Sequence, residues 1–186
     1  MGVLQMASDS TQAGYLTEQS TDAVYGDDLD RLLSRWFKGV SGYPDGMVRA
    51  RWQQTQAPLL SSLTDWCAFG VTGIRGDYSV AMSAVDSESD DLFRHESIDC
   101  LASFYGPAGM SMATAFRDGA SVEQSNETLK ASGMTLQQIG DAINFPELIN
   151  NQWVRRYDVA ITVRRKVTRN YAIRSIKSAE TKFFGD

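Results

Sequence analysis

From Tyr157 onward the apolar side chains fall on every second residue: Tyr157, Val159, Ile161 and Val163, then Val167. Asp158, Ala160, Thr162, Arg164 and Lys166 stand between them, so one face of a strand is buried and the other is wet. Thr168, Arg169 and Asn170 read as a turn. Tyr171, Ile173 and Ile176 then carry a returning strand, with a slip of apolar phase between Ile173 and Ile176. Trp153 to Ile176 is thus predicted to be a long β-hairpin, and the sheet it belongs to needs helices to cover one side.

Earlier in the chain the period changes. Leu29, Leu32, Leu33, Trp36, Phe37 and Val40 fall on one face of a helix that Asp27 or Asp28 would cap and that Gly39 and Gly42 close. Met47–Gln53 reads as a strand with Val48, Ala50 and Trp52 on one face. Thr55–Thr64 is a loop, and Trp66–Ile74 is a strand in which Cys67, Phe69 and Val71 alternate with Trp66, Ala68 and Gly70. Small residues on that second face predict that something packs close to Ala68 and Gly70. Tyr78, Val80 and Met82 suit a short strand, and the acidic tract from Asp86 to Asp91 reads as a mobile, solvated loop.

Alternation returns from Glu96, with Ile98, Cys100, Ala102 and Phe104 facing one way, and stops at Gly106 and Pro107. Pro107 suits the first position of a helix over 108–117 that buries Met112, Ala115 and Phe116. A second helix opens near Ser121 and ends at Gly133. A third is predicted from Thr135, with Gln138 completing a capping box and Leu136, Ile139 and Ile143 on its apolar face. Helix, strands, helices and hairpin in that order predict an α+β fold with a mostly antiparallel sheet flanked by α-helices. Residues 1–26, poor in large apolar groups, read as a flexible N-terminal arm or one that orders only against a neighbour, and 27–186 as a single domain.

Composition narrows the class. No apolar run approaches the ~20 residues of a spanning helix, so no membrane partner is expected, and Met1–Gly14 lacks the basic and apolar regions of a secretory signal, which predicts cytosolic synthesis. Cys67 and Cys100 sit in apolar runs and read as buried reduced thiols. Charge is divided unevenly. Residues 1–100 hold 7 Lys+Arg against 15 Asp+Glu, a balance of −8, and residues 101–186 hold 11 against 8, a balance of +3. Such asymmetry suits a contact with a partner of opposite sign, a second copy of the chain included, and it is equally compatible with simple solvation.

Catalytic chemistry is not legible. His95 is the only histidine, with no oriented partner or nucleophile beside it, and it reads as a surface residue. No hydrolase elbow, phosphate loop or dinucleotide fingerprint occurs, and no cofactor or metal set is implied. The basic residues Arg155, Arg156, Arg164, Arg165, Lys166 and Arg169 are more informative. Arg156, Arg164 and Lys166 lie on the wet face, where they could solvate a strand edge, meet a neighbouring subunit or bind phosphates. Arg165 shares the phase of Val163 and Val167, so a regular strand aims it inward, unless it snorkels clear near the hairpin tip.

Several segments in order carry a family resemblance: Arg51-Trp52-Gln53, Asp65-Trp66-Cys67-Ala68-Phe69-Gly70, Phe104-Tyr105-Gly106-Pro107, Phe116-Arg117-Asp118-Gly119, Leu148-Ile149-Asn150, and Trp153 through Asp158. Over about residues 27–178 the chain resembles the neck or tail-terminator (tail-completion) proteins of tailed bacteriophages. That resemblance implies a non-enzymatic virion protein, assembled in the host cytoplasm as a ring of six copies. The ring would end the tail tube and join it to the head-tail connector, with double-stranded DNA passing through the lumen. Its implied partners are other copies of itself, the tail tube protein and the connector or neck protein. Trp66, Phe69, Phe104 and Tyr105 would be core, Gly106-Pro107 the strand-to-helix turn, and Trp153 the anchor at the start of the hairpin. The basic residues from Arg155 to Arg169 would face a neighbouring subunit or the lumen. A DNA-binding or packaging accessory using the basic hairpin is the alternative, and a hydrolase built on His95 a third class.

Overall fold

The computed structural model describes residues 13–55, 57–86, 88–149 and 151–173. In chain order its elements are β1 (Glu18–Thr21), α1 (Gly26–Ser41), β2 (Val48–Ala50), β3 (Trp66–Gly76), β4 (Ala81–Ala84) and β5 (Ser89–Tyr105). Then come α2 (Gly109–Ala120), a 3-10 turn (Glu123–Asn126), α3 (Glu127–Lys130), β6 (Met134–Asn144), β7 (Glu147–Ile149), β8 (Gln152–Val154) and β9 (Arg156–Ala172). The class is α+β with a mostly antiparallel sheet. Contacts divide the chain into a larger unit, Val24–Gly76 with His95–Lys166, and a smaller one, Met1–Ala23 with Asp77–Arg94 and Val167–Asp186.

In the larger unit β2 runs parallel to β3, β3 antiparallel to β5, and β9 lies between β5 and β6. Helix α1 forms on the predicted face: Leu29, Leu32, Leu33, Trp36 and Phe37 are buried. Asp27 and Asp28 occupy its first turn, where carboxylates complement the helix dipole, while the capping position falls to Tyr25. Those apolar groups meet Phe69 of β3, Phe104 of β5 and Phe116 of α2. Phe37 stacks on both Phe69 and Phe116, with ring centroids 4.7 and 5.1 Å apart. The Trp36 indole N–H, buried with them, donates to Asn126 Oδ1 at 3.1 Å, so its burial leaves no donor unsatisfied. Ile98, Cys100, Ala102 and Phe104 all point into this core, as do Val159, Ile161 and Val163 from β9. Both cysteines are free and buried.

The smaller unit is thinner. β4 pairs antiparallel with the first residues of β5, and β1 pairs antiparallel with the end of β9. All four residues of β1 and all four of β4 are exposed.

Four expectations need correction. The predicted turn over Thr168, Arg169 and Asn170 is absent: β9 runs straight through to Ala172, and Arg169, Asn170 and Tyr171 pair with β1. The far end of the expected second strand, 174–176, lies outside the described residues. The predicted third helix over Thr135–Ile143 is strand β6, whose pairing with β9 shifts register between Leu136 and Gln138 and again between Ile139 and Ala142. Each bulge inserts an extra residue, which turns a two-residue repeat into spacings of three and imitates a helix. The acidic tract is strand in its second half: β5 begins at Ser89, and Asp90 and Asp91 pair with Ala84 and Ser83. Helix α2 starts at Gly109 rather than at Pro107, and its buried face is Gly109, Ala113, Phe116 and Ala120, leaving Ala115 exposed. The expected second helix is present in shortened form, as the 3-10 turn followed by α3.

The arm expected over 1–26 contributes β1 and, in Val24, Tyr25 and Gly26, three residues of the larger unit. Residues 1–12 lie outside the described residues.

Candidate functional site

The segments that carry the family resemblance fall on both sides of β3: Phe116 of α2 lies in the main core with Phe69 and Phe104, while Trp66 and Tyr105 lie on the other side. Cys67 and Phe69 face the main core, while Trp66, Ala68 and Gly70 face the other way. There Trp66 stacks on Tyr105, ring centroids 4.4 Å apart and planes within 10°. Met47, Leu60 and Val154 pack against the pair. Gly70 is glycine for a steric reason: a Cβ at that position would lie 2.4 Å from the Trp52 ring. Trp52 holds left-handed backbone, φ 58°, to reach it, and keeps 67 % of its surface exposed. The close approach expected at Ala68 and Gly70 is therefore made by Trp52 itself, which the sequence had placed inside a strand.

Polar contacts fasten the same face. Arg51 Nη2 donates to the Tyr105 hydroxyl at 3.2 Å, and the Arg49 guanidinium lies 5.7 Å from the Trp66 ring centroid. The Ala108 N–H donates to Asp65 Oδ1 at 2.7 Å, which ties the start of β3 to the turn before α2. Gly106 sits in that turn at φ 99°, where a Cβ would meet Asp65 and the Thr64 carbonyl. The Phe104-Tyr105-Gly106-Pro107 and Asp65–Gly70 segments are thus two halves of one junction. Leu59, Leu60, Ser61, Ser62, Trp66, Tyr105, Ile149, Gln152 and Val154 line a pocket of ≈ 130 Å³ on this side.

The ribbon of β7 and β8 covers part of the pocket. Ile149, Gln152 and Val154 line it, so the cross-strand pair Leu148 and Trp153 falls on the ribbon's opposite face, 55 % and 72 % exposed. Trp153, expected as a buried anchor, is instead an exposed aromatic group. Trp66, Phe69, Phe104 and Tyr105 are buried.

The basic residues separate into two sets. Arg156 makes a fork to Asp158, Nε to Oδ1 and Nη2 to Oδ2 both at 2.8 Å, and reaches Glu147 of β7 at 3.3 Å. Asp158 also accepts from Ser103. Burial works against the Arg156 charge, but the Asp158 hydrogen bonds and the charges of Tyr105, Asp158 and Glu147 outweigh it, leaving its pKa above the ordinary value. Burial likewise holds the Tyr105 phenol above its usual range, against the pull of Arg51 and Arg156.

Arg165 points inward, as a regular strand demands, and does not snorkel: it is 4 % exposed. Its Nε and Nη2 donate to Glu96 Oε2 at 3.1 and 2.9 Å, its Nη1 donates to the Val24 carbonyl at 2.7 Å, and its guanidinium covers the Tyr25 ring at 4.5 Å. Tyr25 in turn donates its hydroxyl to Glu96 Oε1 at 2.9 Å. Sequence reasoning found the Arg165 anomaly but not its partners, which lie 69 and 141 residues away. Arg169 pairs with Glu18 in the smaller unit. Arg155 and Lys166 are exposed and Arg164 half-buried. His95 is exposed at the strand surface.

Among the described residues no group of three or more histidines, cysteines and carboxylates could hold a metal ion, and no helix is long and apolar enough to cross a membrane. Among the described residues of the larger unit the geometry offers packing surfaces and ion pairs.

No curated protein matches the chain. A family model described as phage neck terminator protein matches residues 27–186, all but the first 26 of the chain's 186 residues. That match spans every segment on which the resemblance was drawn, and the chain belongs to the phage neck terminator family, structural components of the virion that work against other head and tail proteins.

Proposed function

We propose that this chain assembles as a hexameric ring at the head-tail junction, ends the tail tube there and joins it to the connector, with double-stranded DNA passing through the lumen. The family match over residues 27–186 carries the reading. In it, 27–186 is the ring-forming domain, the 1–26 arm adds contacts at its edge, and Arg155, Arg164 and Lys166 face a neighbouring subunit or the lumen.

Two physical features agree. A closed ring needs two different surfaces on each subunit that fit head to tail, and the uneven charge along the chain supplies opposite signs. A conduit also must not grip its cargo, and a net charge of −5 limits attraction to phosphate.

The alternative, a DNA-binding accessory, is less favoured because Arg156, Arg165 and Arg169 are engaged by carboxylates of the same chain. Electron microscopy of virions, averaged at the head-tail junction, tests the ring. Sixfold density at the top of the tail tube into which this chain fits is the expected result. Absence of the chain from that position overturns the reading. Salt-sensitive DNA binding lost in Arg164→Ala with Lys166→Ala would then bring the accessory forward.

A further inference from the structure

Two surfaces of this chain expose large apolar groups, and their chemistries are complementary. The first is the β4–β5 ribbon. Tyr78, Val80, Met82 and Val85 are all exposed, Tyr78 completely. Among the described residues β4 pairs with β5 alone. Residues 80–85 contain none of the lysines or prolines with which proteins guard a strand edge. Residues 77–94 carry five carboxylates, Asp77, Asp86, Glu88, Asp90 and Asp91, against one cation, Arg94.

The second surface is the outer side of the Trp66–Tyr105 face. Trp52, Leu59, Leu63, Leu148 and Trp153 each expose more than half of their area. Arg49, Arg51 and Arg155 are the cations on these same segments, and the nearby carboxylates Asp65 and Glu147 are already engaged by Ala108 N–H and by Arg156. Arg155 is the exposed one of these cations, Arg49 and Arg51 being half-buried, and exposed Trp beside Arg is the composition that concentrates binding energy at protein interfaces.

We infer that the acidic β4–β5 ribbon of one copy docks on the basic, aromatic Trp52–Trp153 face of a second copy. The proposal rests on the ring reading and names the contact that closes it. Apolar groups on both sides supply area, and opposite charge sets the orientation. Two unlike surfaces on each copy make the contact heterologous, the type that propagates round a ring and not the type that stops at a dimer. A second copy fits better than an unrelated partner because the chain itself holds both halves in equal number, whatever the ring size.

The test uses full-length protein assembled in virions, with a photoreactive benzoylphenylalanine replacing Tyr78. Cross-linking is followed by mass spectrometry. Adducts joining position 78 to the 49–63 or 147–155 segment of another copy are expected. Independently, Arg155→Glu should weaken assembly of the ring at least tenfold, and adding Asp90→Arg should restore part of it. Both positions lie outside the core, and circular dichroism would verify that each variant folds.

Cross-links from position 78 to a different virion protein, with the ring intact, overturn this contact and leave the ring reading standing. Unchanged assembly in Arg155→Glu does the same. Absence of any ring of this chain at the neck removes both.

Discussion

Strand β3 separates two apolar regions that differ in how they are finished. On the Phe69 side the chain buries its aromatic groups completely: Phe37, Phe69, Phe104 and Phe116 expose at most 1 % of their area. On the Trp66 side the cluster of Trp66, Ala68 and Tyr105 is covered by a loop, a short ribbon and the Trp52 ring, and large apolar groups remain outside. The first side is closed by the chain's own helices, as a folding core must be. The second keeps Trp52, Leu59, Leu63, Leu148 and Trp153 more than half exposed. The segments that carry the family resemblance contribute to both sides, Phe69, Phe104 and Phe116 to the first and Trp66 and Tyr105 to the second. Substitutions on the two sides should therefore separate folding from assembly.

The largest effect is expected on the closed side. Phe116→Ala removes a ring packed against Trp36, Phe37 and Phe104, leaving a cavity that the surrounding aromatic groups cannot fill. It should cost ~3–5 kcal/mol of unfolding free energy in a denaturant titration. A loss under 1 kcal/mol would mean that the core is looser than its burial implies.

The thiols report the same closure through pH. Burial first, then the charges of Asp99 and Asp30, pushes the Cys100 thiol from an ordinary 9.0 up to about 12, and burial raises Cys67 as well. The unfolded thiol loses its proton first, so between those values the folded state binds more protons. Stability is fully present below pH 9 and falls as pH rises toward 12, by on the order of 1.4 kcal/mol per pH unit for a thiol so shifted. Cys100→Ala should flatten that alkaline slope. An unchanged slope would show that other groups set it.

At the boundary of the two sides, Gly70→Ala pushes a methyl group into the Trp52 ring and should cost ~1–3 kcal/mol. In a Trp52→Ala background the cost should shrink to the few tenths expected of an exposed strand position. If the penalty persists without the ring, the close approach is not its cause.

Much of this was legible beforehand, and where it was not the reasons are physical. The α1 stripe and the inward faces of β3, β5 and β9 declared themselves because each has one face against a deep core, which enforces a strict period. Gly70 was legible as a close approach, though not Trp52 as the group approaching, since a left-handed aromatic residue leaves no trace in a hydrophobic pattern. β6 was misread because its two bulges shift the apolar phase. The Asp90 and Asp91 strand was missed because a ribbon wet on both sides imposes no alternation. Arg165 was visible as an intruder, yet Glu96 and Tyr25 could be found only once β5, β9 and the segment before α1 were brought together. Trp153 misled in the opposite direction. A tryptophan beside a strand is normally core, and here it lies on the outer face of a two-stranded ribbon.

Within the closed side lies one imperfection. The Tyr43 hydroxyl is buried with no hydrogen-bond partner among the described residues, and Tyr43 is only 4 % exposed. Its pKa is raised by that burial, with Cys67 and Asp65 adding to it, so it stays a neutral phenol. Tyr43→Phe keeps the ring against Phe104 and deletes the stranded group, and should stabilise the protein by about 1 kcal/mol. A loss instead would reveal a partner for the hydroxyl.

The smallest effect on folding is expected on the unfinished side, and it sharpens the comparison most. Trp153 exposes 72 % of its area, and its indole contributes little that water does not already replace. Trp153→Ala should shift unfolding free energy by no more than ~0.5 kcal/mol, the range of ordinary surface substitutions. If the outer face is an interface, the same change removes a large rigid anchor whose truncation typically costs ~2 kcal/mol or more in binding, roughly a thirtyfold loss of affinity between subunits at 1.4 kcal/mol per tenfold. Chemical denaturation of the free chain and titration of ring assembly, run on one preparation, measure the two quantities side by side. A residue that is nearly silent in the first and costly in the second marks a surface finished by another copy, whereas a large folding penalty would move Trp153 back into the core that its sequence neighbourhood first suggested.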